Sequence, residues 1–250
     1  MVVVYLRIAS FNIKHRLFNK NNYLSNEVYK LITENNIDVL CTQEIPRSLA
    51  KSFQEVIKGY NVVGDSRYHH YLKSLPFNEK NPVISKKEII ETKTIRYKNK
   101  VKNIKEFFRY LKNIPIIPRI ATVVIIKVND KKDICIINTH LDYKLSIIQK
   151  KQLNELLELI EEYKKSYDIV LTGDFNMDKN DKHFVEFINT LKLGNVSKVN
   201  ADGFTWKGKK GQQKVLDYIF VSDNLKVKSF GIMDSNDLSD HEIVYVDLSI

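Results

Sequence analysis

Short runs of β-branched and apolar residues alternate along this chain with stretches of helical spacing, and that alternation restricts the fold to the α/β class. The runs Val2–Ile13, Asp38–Glu44, Tyr60–Val63, Pro82–Ser85, Arg119–Val128 and Asp133–His140 read as strands. Four more follow at Ile169–Gly173, Leu216–Val221, Lys226–Ile232 and Glu242–Leu248. Helical spacing marks Tyr23–Asn36, Arg47–Lys58 and Ile147–Lys165, the last with Leu153, Leu156, Leu157 and Ile160 on one face. No repeat or linker interrupts the 250 residues, so a single domain over 1–250 is expected. The segment from about 66 to 118 lacks clear periodicity and reads as an irregular, basic insertion.

Composition excludes other classes. Eight Gly and five Pro rule out collagen-like chains, and 10% aromatic residues argue against disorder. Two cysteines cannot form a disulfide framework, and Cys41 and Cys135 both lie in apolar runs as expected of buried thiols. No run approaches the length of a membrane span, and the N-terminus lacks a basic leader, so a cytoplasmic monomer is the expectation. The net charge is +10, which points to an anionic partner. Lysine outnumbers arginine 33 to 7, a bias that an AT-rich coding sequence would also produce. Much of the surplus falls in Lys86–Lys112, which reads either as a solvated face or as a basic arm beside an anionic site.

The strands end in acids, amides and imidazoles. Ser10-Phe11-Asn12, Thr42-Gln43-Glu44, Asn138-Thr139-His140, Gly173-Asp174-Phe175-Asn176, Leu216-Asp217-Tyr218 and Ser239-Asp240-His241 all sit where loops begin or end. Taken singly, each is an ordinary turn former, cap or solvated strand end. Together they are what catalysis in α/β folds uses, because function gathers where strands stop. Carboxylate and amide oxygens suit a hard cation such as Mg²⁺ or Mn²⁺. Two imidazoles supply proton transfer or phosphate hydrogen bonds near neutral pH. With no cysteine in the set, phosphoester hydrolysis is the chemistry that fits.

These motifs, in this order, resemble the endonuclease/exonuclease/phosphatase superfamily, the fold of deoxyribonuclease I. The resemblance implies a four-layer α/β sandwich, two packed mixed β-sheets flanked by helices. It implies that Glu44 is the principal metal ligand, with Asn12 and Asp240 completing or supporting the site, and that Mg²⁺ or Mn²⁺ is the cofactor. Asp174 and Asn176 resemble the pair that orients the attacking water, and His140 and His241 the two active-site imidazoles. Asp217 resembles the carboxylate that orients His241. Arg119 matches an arginine near the substrate phosphate, and Glu79 an acid that pairs with His140. Thr139-His140-Leu141-Asp142 is similar to the branch holding small bacterial hydrolases, deadenylase-like enzymes and sphingomyelinases rather than to abasic-site endonucleases.

The implied activity is a Mg²⁺-dependent phosphodiesterase or nuclease acting on nucleic acid. A hydrolase of small or lipid phosphoesters would use the same site with a different rim. A catalytically silent phosphate-binding module is the remaining alternative, disfavoured because each matched position holds a competent residue. Trp206 and the Lys207, Lys209, Lys210, Lys214 cluster are placed near the rim, where Trp206 either packs in the core or stacks on a base.

Overall fold

The computed structural model describes residues 5–14, 21–68, 78–98, 118–199 and 203–250. Two six-stranded mixed sheets pack face to face. The first runs β15 (Lys226–Met233), β16 (Ile243–Ser249), β1 (Tyr5–Asn12), β2 (Val39–Gln43), β6 (Val83–Ser85), β4 (Asn61–Val63). The second runs β11 (Val196–Val199), β14 (Asp217–Ser222), β10 (Asp168–Asp174), β9 (Lys132–His140), β8 (Ile120–Asn129), β7 (Ile89–Arg96). Helices α1 (Asn21–Glu34) and α2 (Arg47–Val56) share a core with the outer face of the first sheet. Helices α3 (Ser146–Tyr163) and α4 (Lys182–Leu193) do the same on the second. The architecture is therefore the four-layer sandwich that the motifs imply.

Both faces of the central strands are covered, which is why they read as continuous apolar runs. In β8, Val124, Ile126 and Val128 enter the core between the sheets, while Ala121, Val123 and Ile125 meet the helices. In β9, Ile134 and Ile136 face inward and Cys135 and Ile137 outward. Cys41 and Cys135 are free and buried, as expected.

The same two-residue alternation places the polar strand ends. Leu6 and Ile8 of β1 lie in the inter-sheet core, so Ser10 and Asn12 continue that face. Val39 and Cys41 lead to Gln43, and Ile134 and Ile136 lead to Asn138 and His140. Val170 leads to Thr172 and Asp174, and Val221 and Ile219 lead back to Asp217. At one end the seam between the sheets thus turns from hydrocarbon to acid, amide and imidazole.

The segment expected to be irregular holds regular structure. Ile89–Arg96 forms β7, an eight-residue edge strand antiparallel to β8. Its exposed Glu91, Thr92 and Lys93 hide the alternation that a half-buried strand shows. Two-residue strands β3 (Ile45–Pro46) and β5 (Glu79–Lys80) pair beside the site. Of the basic block Lys86–Lys112, residues 99–112 lie outside the described residues. Among the described residues no helix is long and apolar enough to cross a membrane.

Candidate active site

The floor of the site is a hydrogen-bonded seam between the sheets. Gln43 Nε2 donates to Asn138 Oδ1 at 2.7 Å and to Ser10 Oγ at 3.1 Å. Asn138 Nδ2 donates to the carbonyls of Thr42 at 3.0 Å and Asn81 at 3.2 Å. These amides are fully buried, and their mutual pairing offsets the cost of removing them from water.

Gly173 sets the strand register above that floor. Its φ is +144°, and a Cβ there would lie 1.9 Å from the Thr139 carbonyl oxygen. Only glycine lets β10 approach β9 so closely. The register then brings Asp174 opposite His140 on one side and Asp217 on the other. Phe175 anchors the following turn among Phe184, Phe187, Tyr218 and Phe220, with ring centroids 5.3–6.0 Å away. Asn176, with φ of 52°, turns back so that Nδ2 reaches His140 Nε2 at 3.0 Å.

On one wall, His241 Nδ1 lies 2.8 Å from Asp217 Oδ2, and His241 Nε2 lies 3.9 Å from Asp174 Oδ2. Burial opposes charge on His241, but the Asp217 carboxylate and its hydrogen bond prevail and push the imidazole up to about 9. Asp174 is raised to about 7, first by burial and then by the charge of Asp217. Its Oδ2 accepts from Asn12 Nδ2 at 2.9 Å, and its Oδ1 accepts from the Asn176 amide at 2.8 Å.

On the other wall, Arg119 Nη1 is 3.0 Å from both ring nitrogens of His140. Burial, then the positive charges of Arg119, Arg67 and His241, hold His140 neutral, well below the ordinary imidazole range. Arg119 is itself buried, and its Nε has no hydrogen-bond partner among the described residues.

Glu44 directly follows β2 with φ of 59°, a left-handed conformation uncommon for glutamate and one that clusters at functional sites. Its Oε1 is 3.4 Å from Asn12 Nδ2 and 3.8 Å from His140 Nε2. Asp240 Oδ2 is ion-paired with Lys14 and accepts from Trp206 Nε1 at 3.1 Å, while Asp240 Oδ1 is buried without a partner among the described residues. Asn12 turns its amide nitrogen to the two acids and its oxygen to the Lys14 amide. It therefore supports Glu44 and Asp174 rather than offering a free oxygen.

The structure thus brings Asn12, Glu44, Arg119, His140, Asp174, Asn176, Asp217, Asp240 and His241 to one end of the seam. Glu79 departs from expectation. It is ion-paired with buried Arg67, not with His140, and the His140 ring is held by Arg119 and Asn176 instead. The β3–β5 pairing explains this, since it sets Glu79 opposite Pro46 and beside the segment carrying Arg67. The sequence motifs assign no role in the site to Arg67, Lys14, Ser10 or Asn81. A lone arginine in a segment of weak periodicity carries no local signal, and Arg67 is defined only by its acid 12 positions on.

Oxygen donors from Glu44 and Asp240, with the orphaned Asp240 Oδ1, fit a hard divalent cation. A second grouping, Asp174, Asp217 and His241, offers atoms within 4.8 Å of one another. The Asp217–His241 hydrogen bond already uses one ligand atom from each, so that group fits proton handling better than metal binding.

Comparisons agree with this fold. A structure of an endonuclease/exonuclease/phosphatase protein from Bacteroides vulgatus superposes with a TM-score of 0.78 at 21% identity, covering 98% of each chain. A Bacteroides thetaiotaomicron mannosyl-6-phosphatase is similar at TM-score 0.76 and 20% identity, over 98% of this chain and 100% of that one. D. rerio TDP2, complexed with a single-strand DNA product, is similar at TM-score 0.74 and 14% identity, over 98% of this chain and 99% of that one. A search of curated proteins finds no match. The family model described as the Endonuclease/Exonuclease/phosphatase family matches residues 9–241, and the chain belongs to that family.

Proposed function

We propose that this protein is a divalent-cation-dependent phosphoester hydrolase, and that its substrates are phosphodiesters of nucleic acid. The observation that carries the reading is the facing of two differently charged walls. A cationic His241 on Asp217 stands against a neutral His140 under Arg119, with Asp174 between them.

Glu44 and Asp240 would hold the cation, Mg²⁺ or Mn²⁺, with Asn12 steadying Glu44. When bound, the cation supplies positive charge to a phosphate oxygen and to the leaving oxyanion. Asp174, held by Asn12 and the Asn176 amide, accepts a hydrogen bond from the attacking water and takes its proton. Asp217 keeps His241 protonated, so the imidazolium donates to a phosphate oxygen that gains charge. Neutral His140, oriented by Asn176 and Arg119, hydrogen-bonds another oxygen. Arg119 places a guanidinium beside the same anion, in a pocket too dry to screen it.

A second reading, hydrolysis of a small phosphomonoester, draws support from one observation. Arg119 and Arg67, the latter on Glu79, are both buried near the site, and the Nε of each has no hydrogen-bond partner among the described residues, an arrangement suited to a dianion. Salt separates the two readings. Cleavage of a polynucleotide weakens steeply between low and high salt, whereas a small substrate responds weakly. The direct test is hydrolysis of bis(p-nitrophenyl) phosphate with Mg²⁺ or Mn²⁺, with and without chelator. Replacing Asp174 with Ala is expected to lower turnover by about 10²–10³-fold. Near-native turnover in that folded variant would end the assignment.

A further inference from the structure

Trp206 is the single tryptophan of the chain. It is only half-buried and belongs to none of the three hydrophobic clusters, so it is not a core anchor. Trp206 and Lys207 form β12, which pairs with β13 (Gln213–Lys214) in a hairpin. The ring lies across the turn of that hairpin. A Cβ on Gly208 would come 2.3 Å from Trp206 Cη2, while Gly208 has an ordinary φ of −84°. Glycine is required there by the ring and not by the backbone. Lys214 Nζ closes the ring's other approach at 5.9 Å from its centroid.

The hairpin is tied to the start of β14 and to the segment that precedes β16. Trp206 bridges His241, the Lys207 amide donates to the Asp240 carbonyl at 2.8 Å, and the Glu242 amide donates to the Thr205 carbonyl at 2.7 Å. Thr205 Oγ1 accepts from the amides of Leu216 and Asp217 at 2.9 and 3.1 Å. The indole N–H then ends on Asp240 Oδ2, the oxygen that also meets Lys14. Two donors therefore hold one carboxylate oxygen and leave the other buried without a hydrogen-bond partner among the described residues.

We propose that Trp206 is a positioning residue: its indole N–H, delivered by the β12–β13 hairpin, fixes the rotamer of Asp240 and so aims Asp240 Oδ1 at the reaction centre. The kinetic part of this rests on the phosphoesterase reading; the structural part does not. A hydrogen bond to a charged acceptor is enough to select one carboxylate orientation by roughly 10-fold or more.

The experiment uses the full chain with ¹⁵N-labelled indole. One tryptophan gives one indole N–H resonance. Substituting Asp240→Ala is expected to shift that resonance and to speed its exchange with solvent by at least about 10-fold, the loss of one such bond. Replacing the tryptophan with 3-benzothienylalanine keeps the ring and deletes only the N–H. That protein is expected to melt with the parent and to lose about 10-fold in kcat on bis(p-nitrophenyl) phosphate, with KM within about twofold. An indole resonance indifferent to Asp240→Ala, or a native kcat in the benzothienyl protein, overturns the proposal. If the unaltered protein fails to cleave the diester, the phosphoesterase reading falls, and the resonance still decides whether Trp206 holds Asp240.

Discussion

The two imidazoles of the site are the same side chain in two electrostatic worlds. His140 and His241 are both buried on the seam between the sheets, yet one is kept neutral and the other kept charged. Burial lowers the charged state of each. What differs is the neighbour: a guanidinium 3.0 Å from His140 and a carboxylate 2.8 Å from His241. The lesson is that depth does not assign an acid–base role here. The sign of the first charged contact does.

Breaking the His241 side has the largest expected effect. Replacing Asp217 with Ala removes the charge that holds the imidazolium, and turnover should fall about 10²–10³-fold. In the same variant, NMR titration should find His241 well below its native value of about 9. An unchanged titration would show that Asp217 is not what sets its charge.

On the opposite wall, Arg119→Met should raise the His140 pKa toward the ordinary range and lower turnover about 10²-fold. Arg119→Lys keeps the charge but not the planar fork, so it should restore the His140 titration more than the turnover. Equal recovery of both would mean that Arg119 acts only as a point charge.

The smallest effect is on stability, and here the two histidines oppose each other. His241 is raised above its unfolded value, so its pairing with Asp217 stabilises the fold fully below about pH 6.5 and is lost as pH rises through about 9. His140 is lowered, so its contribution is present above the unfolded pKa and is lost as pH falls below it. In metal-free protein, His241→Gln should flatten the alkaline fall in Tm, and His140→Gln the acidic one, each by a few degrees, about 2–4 °C per kcal/mol for a chain of this size. A melting profile that either substitution leaves unaltered would remove that histidine from the stability balance.

Legibility in the sequence followed burial. Strands covered on both faces, such as β8 and β9, are apolar without interruption and were read to within a residue or two. The edge strand β7 was not, because Ile90 and the charged residues around it face solvent and the alternation fades. Helix α4 was also passed over, although its signals are present. Asp181 caps it by accepting from the His183 and Phe184 amides at 2.9 and 3.2 Å, and Phe184, Phe187 and Leu191 line one face. The acids and imidazoles at strand ends were visible through their motifs. Arg67 and its bond to Glu79 were not, since that pairing is made by the tertiary approach of two short segments. The hydrogen bond from Trp206 to Asp240 spans 34 positions and likewise has no local trace.

The two-residue stride of the inner face has a consequence for how such a chain tolerates change. Asp174 stands four steps beyond Val170 and His140 four beyond Ile136, so the polar groups of the site and the core share one reading frame. A single residue inserted within β10 would move Gly173 into the place of Asp174, spoiling the interior and the polar site in one stroke. The same insertion a few positions past Asn176 would lengthen a loop and leave both intact. Rim segments can therefore drift, trade lengths and acquire new specificities while the strands beneath them stay in step.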